Sequence, residues 1–227
     1  RILEDFNRDG VDAVVLDLRR NGGGSLSEAI SLTGLFINDG PVVQVKGADG
    51  RITPYNDLDS GITWSGPLVV LISKLSASAS EILAGAIQDY DRGLIIGDHS
   101  THGKGTVQSL LSLGEKLFQM PNSPKMGELK ITMQQFYRPD GDSTQRRGVL
   151  ADVELPALTT HLDVGEADLD YPLPFDKIPA QSFRRFDSIN PTIVDQLRRL
   201  SADRCATSKD FQKLQRFIAK YEEQKAK

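Results

Sequence analysis

The chain has 227 residues, enough for one medium domain with an appendage or for two small domains. With 39% hydrophobic and 26% charged residues it has the make-up of an ordinary globular protein, and a net charge of −4 without a basic block does not indicate a nucleic-acid surface. The single cysteine, Cys205, excludes an internal disulfide, and no segment approaches the ~20 apolar residues of a membrane-spanning helix.

Taken in order, residues 1–9 read as the end of a helix, with Ile2, Leu3 and Phe6 at helical spacing. No signal peptide is visible, so the sequence reads as a fragment whose targeting segment lies upstream. Residues 11–18 form a mostly apolar strand of the kind buried on both faces. The turn Arg19–Gly24 follows, and its three glycines leave the backbone accessible. Neither G-x-G-x-x-G nor a Walker lysine is present, so an anion or oxyanion site suits this turn better than a phosphate loop. Ser25-x-x-Glu28 is a capping box, and Leu26, Ala29, Ile30, Thr33 and Ile37 mark one helix face. Residues 42–57 read as a hairpin with Asp49-Gly50 at its tip, and 58–66 as loop.

The stretch 67–90 repeats the strand–turn–helix plan. Pro67–Ser73 is a short β-branched strand, Ile82, Leu83, Ala86 and Ile87 fall at helical spacing, and Ser78 lies at the turn between them. Such a turn aims unpaired N–H groups and the positive end of a helix at whatever lies above it. Two readings of Ser78 follow. It caps the helix in the box Ser78-x-x-Glu81, or it is a nucleophile beside donors that can hold an oxyanion. Asp89, eleven residues on, shares a helix face with Ser78 but lies ~16 Å along the axis, which suits a structural role. After the strand Leu94–Ile96 comes Gly103-Lys104-Gly105. A lysine between glycines is a surface charge or an anion ligand, or, once buried, a base for a serine.

Residues 106–111 and 129–137 read as strands. Glu128–Gln134 alternates polar and apolar residues and could pair with an extended substrate. Arg146 and Arg147 either hold a carboxylate or make surface ion pairs. Residues 162–179 are acidic and irregular (Asp163, Glu166, Asp168, Asp170), as a linker or wrapping arm would be. Asn190-Pro191 starts a helix striped by Ile193, Val194, Leu197 and Leu200, and a second helix carries Phe211, Leu214, Phe217, Ile218 and Tyr221. These amphipathic helices are expected to dock on the core or on another part of the protein.

Four stretches together resemble the C-terminal processing, or tail-specific, proteases, in particular their long bacterial envelope branch. They are Leu16–Gly24, Ser76–Glu81, Gly103–Gln108 and Ser143–Val149. The resemblance implies an α/β, ClpP/crotonase-like serine protease core at 1–175 and a helical C-terminal region at 176–227. It implies a Ser–Lys dyad of Ser78 and Lys104, with Gln108 orienting the lysine and the N–H groups of Gly24 and Ala79 forming the oxyanion hole. Gly23, Glu81 and Asp89 are candidate supporting residues. The serine and lysine are 26 residues apart, one more than is usual in that family, and the loop Asp98–His102 can absorb the extra residue. No cofactor or metal is implied. The implied partners are protein or peptide substrates with apolar C-termini, a PDZ domain upstream in the full-length chain and an adaptor protein, with no nucleic acid. The implied location is the bacterial periplasm. Two other readings remain: a histidine or zinc enzyme using His99 and His102, and a non-catalytic binding module or acyl-transfer enzyme of the same fold.

Overall fold

The computed structural model of the protein describes residues 1–118 and 124–227. In chain order the elements are α1 (Ile2–Asp9), β1 (Val14–Asp17), α2 (Leu26–Gly34), β2 (Gly40–Gly47), β3 (Ile52–Asp57), β4 (Leu68–Ile72), α3 (Ala79–Asp89) and β5 (Leu94–Gly97). Then come β6 (Thr106–Ser112), α4 (Leu113–Phe118), β7 (Glu128–Tyr137), β8 (Val153–Glu154), 3-10 turns at Leu158–His161 and Glu166–Asp168, α5 (Pro191–Thr207) and α6 (Lys209–Lys225). The sequence reading has no counterpart for α4 or for the two-residue β8.

The strands form two sheets. The apolar runs β1, β4 and β5, with β8, make a parallel sheet in the order β1-β4-β5-β8. The other four make an antiparallel sheet in the order β3-β2-β7-β6. Helix α3 lies between them, which is why it is apolar almost all the way round. Leu83, Ala84 and Ile87 pack with Val70, Ile72 and Ile95 of the parallel sheet. Ile82 and Ala86 pack with Val43, Val45 and Phe136 of the antiparallel sheet. The N-terminus of α3, and Ser78 with it, is therefore fixed where the two sheets meet.

The C-terminal part reaches the core along two routes. Residues 176–186 run over it: Lys46 Nζ donates to Asp176 Oδ2 at 2.9 Å, Ile178 is buried, and Phe183 lies 4.6 Å from Tyr90, centroid to centroid. Asn190 caps α5 by accepting from Ile193 N at 3.0 Å, with Pro191 at the first helical position. Arg198 Nε then donates to Asp152 O at 2.6 Å beside β8, and His161 pairs with Glu222 at 2.7 Å. Only Cys205 and Ile218 of the two helices are buried, and Ile193, Leu200 and Phe217 remain exposed.

Candidate active site

Four serines crowd the turn between β4 and α3, and three have a structural task. Ser73 Oγ donates to Arg19 O, Ser76 Oγ to Leu18 O at 2.7 Å, and Ser80 Oγ to Asn21 O at 2.9 Å. These hydroxyls tie the turn to the glycine-rich turn after β1. The amide of Ala77 adds a bond to Asn21 O at 3.1 Å. Ser78 is the exception, because its hydroxyl makes no hydrogen bond among the described residues. The Ser78 carbonyl starts the helix's own hydrogen-bond ladder, accepting from Glu81 N at 2.8 Å and Ile82 N at 3.0 Å. Of the capping box only the return half forms, with Ser78 N donating to Glu81 Oε2 at 2.7 Å.

Ser78 also holds an unusual backbone, φ 57° and ψ −115°. A side chain in the left-handed half of φ space is strained, and such strain concentrates where a residue must be presented. Gly23 makes that presentation sterically tolerable. At φ +102° it lies so close that a Cβ there would sit 2.8 Å from Ser78 Cβ and 2.7 Å from Ala77 O. The neighbouring N–H groups of Gly24 and Ala79 donate to no acceptor among the described residues.

Ser78, Ala79, Gly24, Lys104 and Gln108 line one cleft of about 460 Å³, together with Leu26, Ile82, Val107, Leu110 and Phe136. Lys104 Nζ donates to Gln108 Oε1 at 3.1 Å, and no hydrogen bond joins it to Ser78. Burial pushes the lysine below its ordinary pKa, the Lys130 charge pushes it the same way, and Glu166 and Glu81 oppose the shift.

Glu81 links the two halves. Its fully buried carboxylate accepts from Ser78 N, from Thr101 Oγ1 at 2.6 Å, from Gly103 N at 2.7 Å and from Lys104 N at 3.1 Å. One side chain thereby sets the serine turn against the lysine loop. Burial drives its pKa up to about 7 against the pull of these four donors.

Asp89 is a candidate residue that the structure places away from the cleft. It lies buried at the far end of α3, ion-paired to Arg138, and accepts from Asp140 N at 3.2 Å. His99 is exposed and pairs with Glu154 at 2.8 Å, and His102 is half-buried at the start of the lysine loop. Among the described residues no three His, Cys, Asp or Glu side chains are grouped to hold a metal ion. The strand Glu128–Gln134 pairs with β6 on one side, while β2 reaches only its last residue on the other; β6 is the edge strand of the sheet, and residues of both β6 and β7 line the cleft. The sequence reading missed what Thr144, Gln145 and Arg146 do. Thr144 Oγ1 donates to Lys104 O at 2.7 Å, Gly105 N to Gln145 Oε1 at 2.8 Å, and Arg146 N to Gly103 O at 2.6 Å. The motif Ser143–Val149 is thus a brace for the lysine loop.

Residues 1–155 match the family described as Peptidase family S41. The chain belongs to peptidase family S41. Residues 159–227 match a second description, the C-terminal domain of tail specific protease. Among S41 relatives, the chain is 46% identical over 190 residues to the tail-specific protease of Haemophilus influenzae, covering 84% of this chain and 27% of that protein. It is 40% identical over 168 residues to the carboxy-terminal-processing protease of Bartonella bacilliformis, covering 71% of this chain and 36% of that protein. The chain therefore spans about a third of the length of these relatives. Among solved S41 structures, it is similar to the photosystem II D1 C-terminal processing protease, with a TM-score of 0.57 and 33% identity over 67% of this chain and 36% of that one. The α/β layout with C-terminal helices is the ClpP/crotonase-like fold of this family. No helix of the described residues is long and apolar enough to cross a membrane.

Proposed function

We propose that the chain carries the catalytic centre of a serine endopeptidase that works through Ser78 and Lys104. The observation that carries this reading is the hydroxyl of Ser78, which alone among the four serines of its turn has no hydrogen bond among the described residues and faces the same cleft as a partly desolvated lysine. Neutral Lys104 takes the hydroxyl proton as Ser78 Oγ attacks the scissile carbonyl. The oxyanion is met by the N–H groups of Gly24 and Ala79 at the positive end of α3. The intermediate collapses to an acyl-enzyme, and the lysine returns its proton to the leaving amine. Water, deprotonated by the same lysine, then releases the acyl group. Gln108 holds the Lys104 Nζ through one N–H and leaves the lone pair of the neutral amine for the serine. Glu81 keeps the two turns in register.

The substrates are proteins recognised by their C-terminal tails. Leu26, Ile82, Val107, Leu110 and Phe136 give the cleft an apolar lining, which suits apolar residues at the cut and an apolar C-terminus. The outer edge of β6 can add an extended substrate strand through backbone hydrogen bonds. An upstream PDZ domain, an adaptor protein and a periplasmic location complete the reading; of these, the bacterial tail-specific and carboxy-terminal-processing relatives support an envelope location.

In the full-length protein, Ser78→Ala is expected to lower peptide cleavage by about 10⁵-fold or more, because nothing replaces a missing nucleophile. Its melting temperature should stay close to wild type, since the removed hydroxyl makes no hydrogen bond among the described residues. Cleavage retained in a folded Ser78→Ala protein would exclude the serine.

A further inference from the structure

The lysine loop, His102–Gly105, is gripped from three directions. Glu81 of α3 binds its amides, and the Thr144–Arg146 turn binds its carbonyls and Gly105 N. The third grip comes from the acidic stretch at 162–170, which the sequence suggests is a linker or wrapping arm. Glu166 N donates to His102 O at 2.8 Å. Glu166 Oε1 accepts from Gln145 Nε2 at 2.9 Å, and the other end of that same amide, Gln145 Oε1, holds Gly105 N. Glu166 Oε2 stands 4.0 Å from His102 Nδ1. The Glu166 side chain is only 13% exposed, unlike a solvated surface acid. It belongs to the residues that match the tail-specific protease C-terminal domain, as does Leu173, whose carbonyl accepts from the same Gln145 Nε2 at 3.3 Å, whereas Glu81 and Thr144–Arg146 belong to the S41 match.

We propose that Glu166 is a positioning residue for Lys104, a strap by which the C-terminal region sets the register of the lysine loop. This rests on the reading of Lys104 as the base. The strap works by geometry, through His102 O and Gln145, and by charge, through the carboxylate field at the loop. The charged and titratable groups facing Lys104 are Lys130 from β7, Glu81 from α3 and Glu166. Those facing His102 are Glu166, Asp168, Lys104 and Lys74. Glu166 is the acid with the larger effect on both, and it favours the protonated form of each.

Two substitutions in the full-length protein separate geometry from charge. Glu166→Gln keeps an acceptor for Gln145 and removes the charge. Its activity should rise with pH along a curve whose midpoint lies lower than in wild type, with plateau kcat nearly retained. Glu166→Ala removes the Gln145 bond as well, and its plateau kcat should fall about tenfold to a hundredfold, as small misplacements of a reacting group do. KM should stay unchanged in both, because Glu166 does not line the cleft. If the alanine variant fails to fold, the midpoint of the glutamine variant decides. Wild-type midpoint and plateau in the folded variants, or a change in KM alone, would overturn the strap. Lys104→Arg run in parallel separates the two claims. An active arginine enzyme overturns the dyad, while an inactive one beside unaltered Glu166 variants overturns only the strap.

Discussion

The turn at 73–81 is crowded with polar groups and the helices at 191–225 carry apolar stripes, and the two find partners to different degrees. Around Ser78 nearly every polar group has a partner on a distant element, and Ser76, Ser80 and Glu81 are buried. In α5 and α6 the apolar stripes find little to cover them: Phe217 stays 56% exposed and Leu200 42%. An apolar stripe states that a helix has a side to bury, and only the neighbouring surface decides how much is buried. The contrast also isolates Ser78, whose hydroxyl has no partner among the described residues while Ser73, Ser76 and Ser80 beside it are all bonded.

The sharpest way to break that contrast is to remove its hub. Glu81→Ala leaves four donors without an acceptor, and a loss of about 3–5 kcal/mol is expected, read as a fall in melting temperature together with lost cleavage. The effect should depend on pH. The folded pKa of Glu81, about 7, lies above its ordinary 4.5, so the native state holds the proton more tightly than the unfolded chain does. Stability from this group is full below pH 4.5 and is lost as pH rises through about 7. The gap in melting temperature between wild type and Glu81→Ala should therefore narrow from pH 4.5 to pH 7. A gap that widens over that window would mean the ionised form is the one the fold prefers.

The smallest effect is expected in the tail. Phe217→Ser should change stability by no more than about 0.5 kcal/mol, as exposed substitutions do. A drop of several degrees in the full-length protein would show that α6 is covered there by something other than the core seen in this structure.

Much of this was legible in the sequence where the signal is local. Ser25 and Asn190 cap their helices as their spacing indicates, with bonds to Glu28 N at 3.3 Å and Ile193 N at 3.0 Å. The apolar runs at 67–73 and 94–96 are the inner strands of the parallel sheet. The box at Ser78–Glu81 was legible only in part. Glu81 is a cap by spacing, yet three of its four partners are Thr101, Gly103 and Lys104, which no local pattern reveals. The same holds for Glu166, whose partners His102 and Gln145 lie 64 and 21 residues away in an acidic stretch that looks solvated. α4 and β8 are six and two residues long, too short to leave a periodic signal.

The central claim is that Lys104, lowered in pKa by burial and by Lys130, gives up its proton in the working range and receives that of Ser78. The most direct measurement is the rate of peptide cleavage against pH for full-length wild type and Lys104→Arg, with melting curves for both. The account predicts a wild-type rate that rises with pH along a single ionisation. It predicts a folded arginine variant that is inactive at every pH, because a guanidinium stays charged. An arginine variant that cleaves with a similar pH dependence would contradict it and place the base elsewhere.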